Sequence, residues 1–179
     1  MADLKETYAV IKRFRDYVVQ QSKSNLSKGR KNVSKDLYNS IKGEIVQENN
    51  YAIVGFRMNE YGQYQDQGVK GKFKSAKAPN SPFEFGSGSK KNKGGLTQGI
   101  EKWVKARGIQ FRDKKTGKFI SYQSTAFLIS RSIFMTGMKP SLFFTKPFEA
   151  GYKKYIDTDL AKAFGLDVET IIDYNLKGL

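Results

Sequence analysis

The chain has no cysteine and no histidine in 179 residues. Without cysteine there is no disulfide framework and no thiolate zinc site, which is consistent with a reducing compartment. Without histidine the commonest general base near neutral pH is missing, along with the Ser-His and Cys-His nucleophile pairs and every imidazole-ligated metal. Clustered acids are lacking too. Asp3, Glu6, Asp16, Asp36, Glu44, Glu48, Glu60, Asp66, Glu84, Glu101 and Asp113 stand singly. A metal-dependent nuclease needs acids gathered at one point, and the nearest pair, in Asp157-Thr158-Asp159, reads as a helix cap. These absences leave few enzyme classes open, and no catalytic, metal-binding or cofactor-binding residue is assigned. Long apolar runs are also absent. No stretch approaches the ~18 apolar residues of a spanning helix. Met1-Ala2-Asp3-Leu4-Lys5-Glu6 is charged at once, with no apolar signal core. The expectation is a protein of an aqueous compartment with no membrane contact.

Positive charge is abundant: Lys and Arg outnumber Asp and Glu by 32 to 17, a formal +15. It is unevenly spread. From Asp157 onward five acids face Lys162 and Lys177, a net of −3 against +18 on the preceding residues. A basic body with a weakly acidic tail points to acidic partners. With hydrophobic residues at 39% the chain is still rich enough to bury a core.

Periodicity predicts an amphipathic helix over Leu4 to Asn25, with Leu4, Tyr8, Ile11, Arg15 and Val18 in one stripe widened by Phe14 and Val19. Gly29 ends it, and Ser34 can cap a short helix that turns Leu37, Tyr38 and Ile41 inward. Lys42 to Gln47 and Tyr51 to Met58 read as strands joined through Glu48-Asn49-Asn50, a hairpin. A helix from Leu96 or Thr97 to Arg107 presents Ile100, Trp103 and Val104. Asp113 to Gly117 is a turn between extended pieces. A helix over Ser124 to Gly137 points Ala126, Phe127, Ile129, Ile133 and Phe134 inward, and Gly137 caps it ahead of Pro140. A further helix runs to about Ile156, and two short ones close the chain. The expected class is α+β: a long N-terminal helix, a small antiparallel sheet, several packed helices and a long Gly/Lys-rich loop. The expected division is an α+β domain over 1–156 and a helical hairpin extension over 157–179.

The loop, Gly68 to Gly95, carries Lys70, Lys72, Lys74, Lys77, Lys90, Lys91 and Lys93 against Glu84 alone. It has little apolar surface to offset the entropy of ordering, so it is expected to stay flexible until it meets a partner. Gly86-Ser87-Gly88-Ser89-Lys90 does not match the phosphate-binding G-x-x-x-x-G-K-[ST] pattern. Near the end, Ala161, Gly165 and Ile171 have helix-turn-helix spacing. The would-be recognition helix carries Asp167, Glu169 and Asp173, the wrong sign for a phosphate-lined groove. A helical hairpin packed on protein is the expectation, with Asp167 capping its second helix.

The order of features resembles the neck or tail-completion proteins of tailed phages, the lambda minor tail protein Z-like group. Leu37-Tyr38-Asn39-Ser40-Ile41 precedes the hairpin. Tyr61-Gly62-Gln63-Tyr64-Gln65-Asp66-Gln67-Gly68 follows it. Gly137-Met138-Lys139-Pro140-Ser141-Leu142-Phe143-Phe144 leads into a terminal helix. The matching positions are Leu37, Ser40, Ile41, Tyr61, Tyr64, Gly68, Pro140 and Phe143. Gly62, Asp66 and Val69 depart from the family's Ala, Glu and Thr, and the loop is longer.

The resemblance implies a structural virion protein of the neck, assembled in the bacterial host cytoplasm. Monomeric or weakly associating alone, it would form a six- or twelve-fold ring in the particle between head-closure or connector proteins and the tail, and its basic charge suits a position near packaged DNA, for non-specific contact, or near an acidic protein partner. The candidate subunit-interface and partner-contact residues are Tyr61, Tyr64, the seven loop lysines, Phe143, Phe144, Ile171, Ile172 and Leu176. The rival expectation is a basic nucleic-acid-binding protein that uses the helix-turn-helix-like tail.

Overall fold

A computed structural model of the chain describes residues 4–29, 34–47, 51–86 and 95–177, with no side chains described for 175–177. The fold is α+β, with a long N-terminal helix, one two-stranded antiparallel sheet and several further helices. The chain folds into two compact units, Met1–Asn59 with Leu142–Leu179, and Glu60–Ser141.

In the first unit, helix α1 (Lys5–Lys28) buries Val10, Phe14, Val18, Ser22 and Leu26. Each step is four residues, the spacing of one face of a helix. This face is rotated from the expected stripe. Leu4 is exposed, and Val10, Ser22 and Leu26 take the inner positions because four other elements wrap that side: the first strand and the whole C-terminal helical run. Leu26 joins Leu37, Ile41 and Phe143 in a buried cluster, with Val19, Tyr38, Met58 and Phe144 packed around it. Short helix α2 (Asp36–Ser40) supplies Leu37. Strands β1 (Lys42–Gln47) and β2 (Ala52–Arg57) pair from Lys42 opposite Arg57 to Gln47 opposite Ala52. This register is set by the alternation: Gly43, Ile45, Val54 and Phe56 share the face from which Phe56 reaches Phe14, with ring centroids 5.9 Å apart. Gly43 is small for a reason, since a Cβ there would lie 2.5 Å from Arg15 Cγ.

The end of the chain differs from the expected hairpin. Helix α6 (Thr145–Gly151) passes into a π-helical stretch, Tyr152–Leu160, and then into α7 (Ala161–Lys177), with helical dihedrals at each junction. Gly165 lies inside α7 and makes no turn. The expected boundary at 156/157 therefore falls within one continuous helical run. Asp157 and Asp159 sit in the π stretch rather than at a helix start, and the Thr158 hydroxyl donates to the Lys153 carbonyl five residues back, at 3.0 Å.

In the second unit, helix α3 (Tyr61–Gln67) is followed by an extended, turn-rich segment, 68–86. Helices α4 (Gly95–Arg107) and α5 (Tyr122–Thr136) pack on each other. Val104, Thr125, Ala126 and Ser130 are buried, so small residues let the helices close. Phe127 and Phe134, expected inward, are exposed, because the covered face of α5 runs through Thr125, Ala126 and Ser130. Ser121 caps α5 by accepting from the Ser124 N–H at 3.0 Å.

Candidate partner-contact surfaces

The lysine-bearing segment is held by its backbone. Where it crosses the C-terminus of α5, the N–H groups of Lys72, Phe73 and Lys74 donate to the Phe134 and Met135 carbonyls at 2.9 to 3.2 Å. Val69 and Met138 exchange two backbone bonds, and Lys70 bonds to Phe83 and Phe85 on its other side. The crossing demands glycine. A Cβ on Gly71 would fall on the backbone of Met135, Thr136 and Gly137, and Gly137 itself has φ +81. The last carbonyls of a helix lack intrahelical partners, and this segment supplies them. Residues 68–86 are therefore built into the unit, contrary to a freely solvated loop. The rest of the loop, with Lys90, Lys91 and Lys93, lies outside the described residues.

The described lysines divide by role. Lys77 donates to Thr136 Oγ1 at 2.8 Å and reaches the Gly137 carbonyl at 3.5 Å, which is helix capping rather than partner contact. Lys70, Lys72 and Lys74 border a small recess of about 220 Å³ with Gly71, Phe73, Ser75 and Glu84. Phe73, between two lysines, is 71% exposed. Tyr61 and Tyr64 are exposed on α3, and the Tyr64 ring stands edge-on to Phe83 at 4.6 Å.

In the first unit Phe143 corrects the expectation. It is 2% exposed at the centre of the apolar cluster, so it is core and not contact surface. Phe144 packs on that cluster and meets Phe56 and Phe148. On α7, Ile171 is half-buried and Ile172 is exposed, as are Phe164, Leu166 and Tyr174. Leu176 is outside the described side chains. Val46 and Ile53 face each other across the hairpin on its outer side, 52% and 54% exposed, with Tyr51 also exposed.

Asp167 has a role its position does not announce. It lies within α7 and caps no helix of its own. Instead its two carboxylate oxygens accept from the Glu6 and Thr7 N–H groups of α1 at 3.0 and 2.8 Å. Leu4, at the α1 N-cap position, makes no side-chain cap bond, and Asp167 satisfies these open donors across 161 residues of sequence. Burial pushes its carboxyl up, but the Thr7 and Glu6 backbone bonds outweigh this and hold it below the ordinary aspartate range.

A basic ribbon over residues 111–119 has no counterpart among the sequence-predicted contact residues. Arg112 bridges Phe119, Ile120 N–H donates to Phe111 O at 2.9 Å, and Asp113 N–H donates to Lys118 O at 2.8 Å. Asp113 Oδ1 accepts from Lys115 N–H, Thr116 N–H and the Thr116 hydroxyl at 2.8 to 3.1 Å. These Thr116 and Lys115 bonds hold its carboxyl below the usual range. Gly117, at φ +68, completes the turn. The signal in the sequence is one turn-forming Asp and Gly enclosed by four cations.

Of the positions carrying the phage-neck resemblance, Tyr61 and Tyr64 are exposed and the others belong to the scaffold. Leu37, Ile41 and Phe143 are core. Ser40 Oγ donates to Leu37 O and accepts from Asn59 N–H. Gly68, at φ +73, comes against Met138 and Pro140. Among the described residues no group of three or more acids is placed to hold a metal ion, and no helix is long and apolar enough to cross a membrane. No family model, no curated protein and no solved structure matches the chain.

Proposed function

We propose that this chain is a structural subunit of a tailed-phage neck, one member of a six- or twelve-fold ring that joins head to tail without catalysis. The ordered resemblance over roughly residues 1–156 supports the assignment to the neck. The observation that carries an assembly role is the outer face of the hairpin. Val46 and Ile53 lie exposed and opposed on a sheet of two strands, whose outer edges are unpaired among the described residues. A ribbon of two strands is marginal alone, and open edges beside exposed apolar side chains favour pairing with another chain. Head-to-tail contacts of this kind close into a ring when the rotation allows. The exposed apolar side chains of α7 would add a second contact.

Native mass spectrometry and electron microscopy of the purified chain, alone and with head-closure protein, test this. With head-closure protein wild type should form rings, and Val46→Lys with Ile53→Lys should remain monomeric. Wild-type protein that never assembles overturns the reading. So does magnesium-dependent DNA cleavage abolished by one carboxylate substitution.

A nucleic-acid-binding protein acting outside a particle is the second reading. Glu60–Ser141 favours it, with sixteen lysines and arginines against five acids. Its other support is removed, since Ala161, Gly165 and Ile171 lie on one unbroken helix.

A further inference from the structure

The ribbon 111–119 combines three properties. Every residue from Phe111 to Phe119 is exposed, so the ribbon projects. Its shape is nonetheless set by backbone bonds and by the Asp113 carboxylate, which leaves the lysine side chains at its tip free of ion pairs among the described residues. Its charge is one-sided. Arg112, Lys114, Lys115 and Lys118 stand against Asp113 alone, and that carboxylate already accepts three bonds inside the turn. No ion pair involves Lys114, Lys115 or Lys118 among the described residues.

We propose that this ribbon is a sequence-independent contact for duplex nucleic acid, with Lys114, Lys115 and Lys118 neutralising backbone phosphates. The chemistry favours phosphate over an acidic protein. Lysine is depleted at the cores of protein interfaces, whereas a phosphate backbone needs only point charges at suitable spacing. The turn is closed by one antiparallel bridge, Arg112 with Phe119, and its projecting tip can lie in a major groove about 12 Å wide. Single strands bind by stacking bases on aromatic faces, and the tip of this turn, Lys114 to Gly117, carries none. The Arg112 guanidinium occupies one face of the Phe119 ring, 4.4 Å from its centroid, while Phe119 stays 59% and Phe111 42% exposed. That cation–π contact competes with a base for this ring face. The inference does not rest on the neck assignment, because a projecting basic ribbon would meet duplex in a particle or outside one.

The test is fluorescence anisotropy with a random-sequence DNA duplex between about 50 and 200 mM salt, the range over which phosphate contacts weaken steeply. The full-length chain is compared with Lys114→Gln/Lys115→Gln/Lys118→Gln. A control of equal charge is Lys70→Gln/Lys72→Gln/Lys74→Gln. The ribbon variant should lose about tenfold or more in affinity at low salt. Its slope of log K against log salt should fall by about 2.7, roughly 0.9 for each phosphate released. The control should lose distinctly less, and Lys114→Arg/Lys115→Arg/Lys118→Arg should keep wild-type affinity, which separates lost charge from a damaged turn. Equal losses in ribbon and control variants would reduce the effect to net charge and overturn the proposal. So would a wild-type chain that fails to bind duplex, tighter binding to a single strand of the same length, or equal ribbon-dependent binding to polyglutamate.

Discussion

At the centre of the unit formed by Met1–Asn59 and Leu142–Leu179, aromatic rings meet. Phe14 contacts Phe56, Phe148 and Tyr152, Phe56 contacts Phe144 and Phe148, and Tyr17 meets Tyr155, with centroids 5.5 to 6.5 Å apart. Gly151 lets α6 approach α1, since a Cβ there would lie 2.9 Å from Tyr17 and 3.2 Å from Phe14. In Glu60–Ser141 the centre is backbone against backbone, where segment 68–74 lies along the end of α5 and the buried side chains are small. The charges differ in the same sense. Sixteen cations face twelve acids in the first unit and five in the second. Backbone bonds are indifferent to the side chains they carry. A segment secured by its own N–H and C=O groups can therefore present lysines and an exposed Phe73 to solvent, whereas a segment secured by its side chains must turn them inward.

This contrast can be broken by removing what each unit relies on. Phe14→Ala should destabilise the aromatic unit most, by roughly 3–5 kcal/mol. Hydrogen exchange should show protection lost along α1 and β2 and retained at Lys72 to Lys74. Loss at both places together would mean that the units unfold as one. Gly71→Ala should act in the opposite region, costing about 1–3 kcal/mol, because its Cβ meets backbone that cannot rotate away. Protection of the Lys72–Lys74 amides should fall in that variant while α1 remains protected.

Asp167 is a charged tie within the aromatic unit. Its depressed carboxyl contributes stability that is fully present above the unfolded value of about 3.9 and is lost as pH falls through the lower folded value. Asp167→Ala should cost about 1 kcal/mol at pH 7 and flatten the decline in melting temperature below about pH 4. An unchanged acid limb would remove Asp167 from that role. The smallest effect belongs to the exposed Glu101–Lys105 pair on α4, at 2.7 Å and one helical turn apart. Lys105→Ala should shift stability by no more than about 0.5 kcal/mol, and 1 M salt should erase the difference.

Elements made of neighbouring residues were legible in the sequence. The α1 periodicity, the hairpin, the Asp113–Gly117 turn and the Gly137 stop all depend on side chains acting within a few positions of themselves. Faces were less legible. Phe127 and Phe134 look like core residues by hydrophobicity, but the closeness of α4 to Thr125, Ala126 and Ser130 decides which side of α5 is covered. The seven loop lysines look alike in the sequence, yet Lys77 is occupied with the end of α5 and Lys72 and Lys74 are held by their backbones. No local pattern distinguishes them, because the partner carbonyls lie about sixty residues away in the chain.

The α+β class, the surplus of positive charge and the positions of most helices and of the hairpin are written in the chain locally. These follow from composition and short-range periodicity, which a chain carries before it folds. The tertiary structure alone decided that Gly71 must pass Gly137 without a side chain, that Phe143 is core, and that Gly165 continues a helix. It also decided that Asp167 completes the first turn of α1. Each of these depends on groups distant in sequence arriving within hydrogen-bond or van der Waals reach, and such distances exist only once the chain has closed on itself.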